Sequence, residues 1–252
     1  MILSTLPTNK IVDTLCFASI NLQTINTSSL DRGSGDVDYF SSFFFSHEIS
    51  FACLQDVGRK NADFSALKRH LRGEAGSPFR VFGDHTAAIV YDAQLENHIY
   101  NAELGARFAA VHAAFKSADG LTVPLSVVSY YRRPFSNRAN LESRRAEDEA
   151  VCLFVRGLLV QGIQVVLGGD FNTIFSQSDC SLFTAYRAEQ IRHALALSTS
   201  LSDMGMHDSF PLFRPSPADP GFTRYYDRDG AQLGARIDFF FISFGLVGGG
   251  GG

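Results

Sequence analysis

The sequence predicts an α/β protein built on a mixed sheet, or on two packed sheets, with helices outside. Short apolar runs of strand length alternate along the chain with segments of helical period. In the first half the strand runs come in hairpin-like pairs, which a purely parallel doubly wound sheet does not accommodate. The scale is adequate: 252 residues, 45% hydrophobic and 19% charged, bury roughly three-quarters of the unfolded chain's surface without help from disulfides or metal. One or two domains are expected, and neither an internal repeat nor a domain linker is visible.

Taken in order, Thr14 to Ile20 is a nearly continuous apolar run, the pattern of a strand covered on both faces, and it ends on Asn21. After the turn-rich stretch 27–35, Val37, Phe40 and Phe44 recur at helical spacing. Ile49, Phe51 and Cys53 then alternate as a strand that reaches Leu54-Gln55-Asp56. Phe64, Leu67 and Leu71 share one helical face, while 87–91, 108–111 and 123–131 read as sheet strands, the last rich in β-branched residues. From Asn140 the period changes. Val151, Phe154, Val155, Leu158 and Leu159 form an amphipathic helical stripe that Gly162 stops. A short buried strand covers 163–167, a helix 186–197, a proline-rich loop 211–220 and a final apolar strand Arg236 to Ser243.

Composition removes several classes. The chain is too apolar and too balanced in charge for intrinsic disorder, and no window has the apolar length of a membrane-spanning helix. A net charge of -4 argues against nucleic-acid binding through bulk positive charge but is blind to a local basic face. Cys16, Cys53, Cys152 and Cys180 lie far apart, as reduced structural thiols do, and the N-terminus lacks the basic start of a secretory signal. An intracellular protein, nuclear or cytoplasmic, is expected.

The densest chemical signal is Gly168-Gly169-Asp170-Phe171-Asn172-Thr173 at the end of a buried strand. An acid and an amide two residues apart share one face of an extended chain, so the carboxylate can take a proton from a water that the amide positions. Gly, Asp and Asn are equally at home in a strand-end turn. The balance shifts because Asn21, Asp56, Tyr130 or Tyr131, and Asp238 also stand in or at the ends of predicted strands, as a site at one sheet edge requires. Asp56, Asp170, Asp238, Asn21 and Asn172 offer oxygen ligands without thiolates, a set that favours Mg²⁺ or Mn²⁺ over Zn²⁺.

In this order, Ser19-Ile20-Asn21, Leu54-Gln55-Asp56, Tyr131-Arg132-Arg133-Pro134, Gly169-Asp170-Phe171-Asn172 and Arg236-Ile237-Asp238-Phe239 resemble the motifs of the endonuclease/exonuclease/phosphatase superfamily. The resemblance runs from Phe17 to Ser243 and, with Gly221-Phe222-Thr223-Arg224-Tyr225, is nearest to the endonuclease domain of non-LTR retrotransposons. It implies a four-layered α/β sandwich, two mixed sheets face to face with helices outside, occupying 12–243 ahead of a glycine-rich tail, 244–252.

The resemblance also implies Mg²⁺-dependent phosphodiester hydrolysis that nicks DNA, in a domain joined to a reverse transcriptase on a longer polyprotein. Asn21 and Asp56 would hold the metal. Asp170 would activate water that Asn172 orients, and Tyr131, or else Tyr130, would donate to a phosphate oxygen. Asp238 would orient the family's histidine, Thr223 would contact DNA, and Arg132, Arg133 and Arg138 would flank the backbone. Alternatives are action on a small phosphoester such as a phosphoinositide or sphingomyelin, and a catalytically dead relic.

Three departures stand out. Asp56 replaces a glutamate and is shorter by one methylene, about 1.5 Å. The tyrosine motif carries one extra residue before its proline. The Ser-Asp-His that follows on one further strand in the family is replaced after Ser243 by Phe244 to Val247 and five glycines, so the final strand and its histidine are expected to be missing and turnover to be low. None of the seven histidines, the His207-Asp208 pair included, has the family's context.

Overall fold

The structure is a computed structural model and describes residues 14–22, 44, 46–58, 61–72, 78–117, 119–135, 140–181, 188–213, 221–228 and 231–247. Its strands are β1 (Phe17–Asn21), β2 (Phe51–Gln55), β3 (Phe79–Gly83), β4 (Ala87–Asp92), β5 (Ile99–Leu104), β6 (Phe108–Lys116), β7 (Thr122–Tyr131), β8 (Gln164–Asp170), β9 (Met206–Asp208), β10 (Arg224–Arg228), β11 (Ala231–Ala235) and β12 (Asp238–Ser243). The helices are α1 (Asn61–Arg72), α2 (Leu141–Val160), α3 (Ala188–Asp203) and the single turns α4 (Phe210–Phe213) and α5 (Phe244–Val247).

Two mixed sheets dominate. One has the order β1-β2-β4-β3 and the other β5-β6-β7-β8-β12-β9, while β10 and β11 pair as a separate ribbon. β1 with β2 and β7 with β8 are parallel, and the second pair is joined by α2 as a βαβ crossover.

Alternation along the strands fixes the layers. Ala52, Leu54, Ala88 and Val90 face α1 on the outside of the four-stranded sheet. Phe51, Cys53 and Ile89 meet Ala109, Val111, Val127 and Val166 of the six-stranded sheet in a dry core between the two. Val128, Val165, Leu167, Phe239 and Phe241 turn outward to Val151, Val155, Leu158, Leu197 and Leu201 of α2 and α3. The four layers are therefore α1, sheet, sheet, and α2 with α3, the sandwich expected from the motifs. Gln55 and Ser129 are buried between the sheets but satisfied. Gln55 Nε2 donates to Ser129 Oγ at 3.2 Å, and Ser129 Oγ donates to Leu54 O at 3.0 Å. This polar stitch pins the sheets together where their strands end.

The anticipated helix around Val37 and Phe40 lies outside the described residues, apart from Phe44, as do the tail glycines Gly248 to Gly252. The proline-rich loop opens with the helical turn α4, and the final strand begins at Asp238 rather than Arg236, whose backbone N–H is taken by Asp179 O at 2.7 Å. No helix among the described residues is long and apolar enough to cross a membrane.

Candidate active site

Strand register assembles the site. Tyr131 and Asp238 are both paired with Asp170, so three neighbouring strands present Tyr131, Asp170 and Asp238 in one row. Asn21, at the end of β1, reaches across from the other sheet and its Nδ2 donates to Asp170 Oδ2 at 2.5 Å. These residues, with Asn172, Thr223, Arg224, Ile237 and Pro134, line a cleft of about 350 Å³.

Two glycines let β8 deliver the carboxylate. A Cβ on Gly169 would lie 1.9 Å from Tyr130 O, and one on Gly168 would lie 2.3 Å from the Phe240 ring. The sequence G-G-D is thus a close-approach requirement as well as a turn preference. Asp170 is 2% exposed. Its Oδ1 accepts from the backbone N–H of Asn172 at 2.7 Å, which together with the Asn21 bond favours the carboxylate. Burial and the neighbouring Asp238 outweigh both donors and raise its pKa to about 7.

Asp56 and Asn172 both adopt left-handed backbone, φ 47° and 46°, a conformation that Asp and Asn tolerate better than most residues. At Asn172 this turn keeps the amide beside Asp170, and its Nδ2 donates to Arg132 O at 2.8 Å. Tyr131 has its pKa raised to about 12 by burial, then by the Asp56 and Asp170 carboxylates, so its hydroxyl stays protonated. Arg107 stacks 4.6 Å over the same ring, and its Nε donates to Tyr131 O at 3.0 Å. Burial also raises Asp238, against the opposing pull of Thr223 and Arg224, and its Oδ1 is buried with no hydrogen-bond partner among the described residues.

The start of β12 is held from both sides. Thr223 Oγ1 accepts from the backbone N–H of Ile237 and of Asp238, at 3.1 and 3.3 Å. The Arg236 guanidinium bonds Asp179 at 2.7 Å and Asp208 at 2.6 Å, and it stacks between Phe210 and Phe239. A buried cation between two acids and two rings is a rigid base for Asp238.

The structure separates the two tyrosines. Tyr131 faces the cleft. Tyr130, one residue earlier and so on the opposite face, is fully buried under α2 and donates to Asp148 Oδ1 at 2.8 Å. Arg132 departs from expectation. It is 1% exposed and chelates Asp148 through Nε and Nη2 at 2.7–3.1 Å, so its side chain is unavailable to a phosphate backbone. The reason is again alternation, since Arg132 follows the outward face of Tyr130. Arg133 is half-exposed and paired with Glu147 at 2.7 Å, and Arg138 lies outside the described residues.

Asp56 does not line the cleft wall and meets it through Tyr131. Among the described residues no histidine lines the cleft. His207 sits exposed on β9 against Phe244, and its neighbour Asp208 is committed to Arg236. Two cations at the site, Arg107 and Arg224, went unassigned in the sequence. Arg224 directly follows the motif residue Thr223, and Arg107 lies in a loop that carries no motif.

Known structures superpose on this fold over most of the chain. The catalytic domain of APE2 from Xenopus laevis does so with a TM-score of 0.67 at 15% identity, covering 91% of this chain and 82% of that one. A 3'-5' exonuclease, NExo, from Neisseria meningitidis gives 0.63 at 17% identity, covering 90% and 85%. The endonuclease domain of TRAS1, a telomere-specific non-LTR retrotransposon, gives 0.51 at 18% identity, covering 91% and 85%. The chain has the endonuclease/exonuclease/phosphatase fold. No protein-family model matches the sequence, and no curated protein matches it.

Within this endonuclease/exonuclease/phosphatase fold the cleft lies where both sheets end, and its donor set can be tested against a divalent cation. Among the described residues no group of three or more His, Cys, Asp or Glu is arranged to hold a metal, so they form no closed protein cage. Oxygen donors near the opening include Asn21 and Asp170 in its lining and Asp56 behind Tyr131, hard ligands of the kind an ion that keeps several waters, such as Mg²⁺, takes.

Proposed function

We propose that this protein is a divalent-metal-dependent phosphodiesterase acting on DNA, with the cleft at Asp170 as its active site. The observation that carries the reading is the meeting of Asn21, Tyr131, Asp170, Asn172, Thr223 and Asp238, from five separate segments and two sheets, around one opening. Two neighbouring carboxyls whose pKa values burial raises, set in a cleft, are an arrangement that acid–base chemistry uses.

Asp170, with a pKa of about 7, takes the proton of an attacking water near neutral pH. Asn172 holds that water through its side-chain amide. Tyr131, protonated throughout the physiological range, donates to a phosphate oxygen. Asn21, with Asp56 behind Tyr131, would hold Mg²⁺, and the ion would supply charge neutralisation at the phosphate and the leaving oxygen. DNA as substrate is supported by the neighbours, one being the endonuclease domain of a retrotransposon and another a 3' phosphatase bound to product DNA hairpin. A reverse transcriptase on the same polyprotein is part of this reading.

End-labelled duplex DNA, duplex with a 3'-terminal phosphate, and a phosphoinositide, each incubated with protein and Mg²⁺, test the substrate class. Slow internal strand cleavage, read with protein in excess because no histidine among the described residues lines the cleft, is expected. Release of phosphate from the 3' end or the lipid headgroup without internal cleavage would replace the endonuclease reading.

A further inference from the structure

We infer that Arg224 is the phosphate-binding cation of this cleft, its guanidinium taking a non-bridging oxygen of the bound phosphodiester. The inference rests on the phosphodiesterase reading and adds a residue to it. Of the nine described residues that line the cleft, Arg224 is the one cationic side chain, in the same lining as Asp170 and Asp238. A phosphodiester brings a further negative charge to two carboxyls, and at a few ångströms like charges repel strongly unless a counter-charge is present.

Arg224 is well mounted for that task. It opens β10, in register with Ala235 of β11, and the preceding residue Thr223 donates its backbone N–H to Ala235 O at 3.1 Å. Thr223 in turn secures the backbone of Asp238 through Oγ1. The guanidinium is therefore carried on the same hydrogen-bonded frame that positions Asp238.

Among the described residues its donors are also uncommitted. The charge of Arg224 is felt by Asp170 and by Asp238, yet among the described residues it forms no hydrogen bond or ion pair with either. Arg132, Arg133 and Arg236 each chelate a carboxylate of the protein, and Arg107 is engaged with the ring and carbonyl of Tyr131. An exposed planar fork with free donors at the rim of an acidic cleft matches the two oxygens of a phosphodiester in a way that an ammonium does not.

The test titrates ¹⁵N-labelled protein with dimethyl phosphate, with and without Mg²⁺, and measures hydrolysis of duplex DNA by wild type, Arg224→Ala and Arg224→Lys. Dimethyl phosphate is expected to shift the Arg224 Nε–H and the amides of Thr223 and Asn172. Arg224→Ala is expected to weaken binding and lower kcat/KM by about tenfold or more, the worth of a charge-assisted hydrogen bond, with Arg224→Lys recovering part of the loss. Because Arg224 is exposed, thermal unfolding of both variants should match wild type. Binding and hydrolysis unchanged in Arg224→Ala would overturn the assignment and leave the phosphodiesterase reading intact. Arg224-dependent binding of dimethyl phosphate by a wild type that hydrolyses nothing would uphold the anion site and remove the hydrolysis. No response of Arg224 to dimethyl phosphate would overturn the assignment.

Discussion

Replacing Asp170 by asparagine should make the protein more resistant to rising pH. Asp170 has a folded pKa of about 7, against roughly 3.9 in an unfolded chain. Below pH 4 the carboxyl is protonated in both states and costs nothing. Between pH 4 and 7 the unfolded chain releases a proton that the folded one retains, so stability falls as pH rises, levelling above pH 7 at a total cost of about 4 kcal/mol. Over pH 5 to 8 the linkage relation gives a loss of about 2.5 kcal/mol from this group. The amide of the Asp170→Asn variant cannot titrate and lacks that slope, although one of the two bonds at this position, to Asn172 N or to Asn21 Nδ2, becomes a donor–donor contact. A urea unfolding series in EDTA at pH 5, 6, 7 and 8 isolates the effect as a double difference, in which constant losses from the substitution cancel. Wild type should lose about 2.5 kcal/mol more than the variant across the range. Parallel pH profiles, or a wild type that gains on the variant as pH rises, would mean that the two amide donors win over burial and Asp238, and the account of Asp170 as a near-neutral base would fail.

Further substitutions probe the frame around this carboxylate. Tyr131→Phe should lower strand cleavage at least tenfold with little change in thermal stability. Tyr130→Phe should leave cleavage intact and cost about 1–2 kcal/mol in urea unfolding through the lost bond to Asp148. Arg132→Ala should destabilise by about 3–5 kcal/mol because Asp148 is left buried without its counter-ion, without reducing the salt dependence of DNA affinity, which a phosphate contact would change. Gly169→Ala should prise β7 from β8 beneath Asp170, given the 1.9 Å approach of Tyr130 O. It should abolish activity and lower the melting temperature, and an active, equally stable alanine variant would show that the strand ends are less tightly coupled than described.

The parts of this fold that were legible in the sequence are those whose side chains alternate or recur under a strong burial constraint. The strands at 51–55, 87–91, 123–131 and 163–167 face a core on both sides and declare themselves by alternating or β-branched apolar residues. The ribbon β10–β11 did not, since Tyr225, Asp227 and Arg228 carry no alternation, and the ribbon is held by pairing with its partner strand. Short edge strands such as β9 owe their form to a neighbour, here β12, and leave no local signature.

The same division runs through the site. Asn21 stands at a strand end that periodicity locates, whereas Asp170 and Asp238 are strand termini only in the structure, where register brings the three together. Which of Tyr130 and Tyr131 faces the cleft depends on one step of strand phase, and Arg132 falls on the wrong side of that step. Its guanidinium looked like part of a basic loop because Asp148, its partner 16 residues away on α2, is adjacent only after folding. Arg224 was hidden for the opposite reason, being an ordinary surface arginine until the ribbon swings it to the rim of the cleft.

The proposed function turns on whether the Asp170 cleft hydrolyses phosphodiester bonds. Its most direct test is conversion of supercoiled plasmid to open circles by protein in excess, with Mg²⁺, comparing wild type with Asp170→Ala and with an EDTA control. Wild type should nick in the presence of Mg²⁺, and nicking should be lost in the variant and in EDTA. Supercoiled plasmid left intact by wild type, or nicked equally by Asp170→Ala, would contradict it.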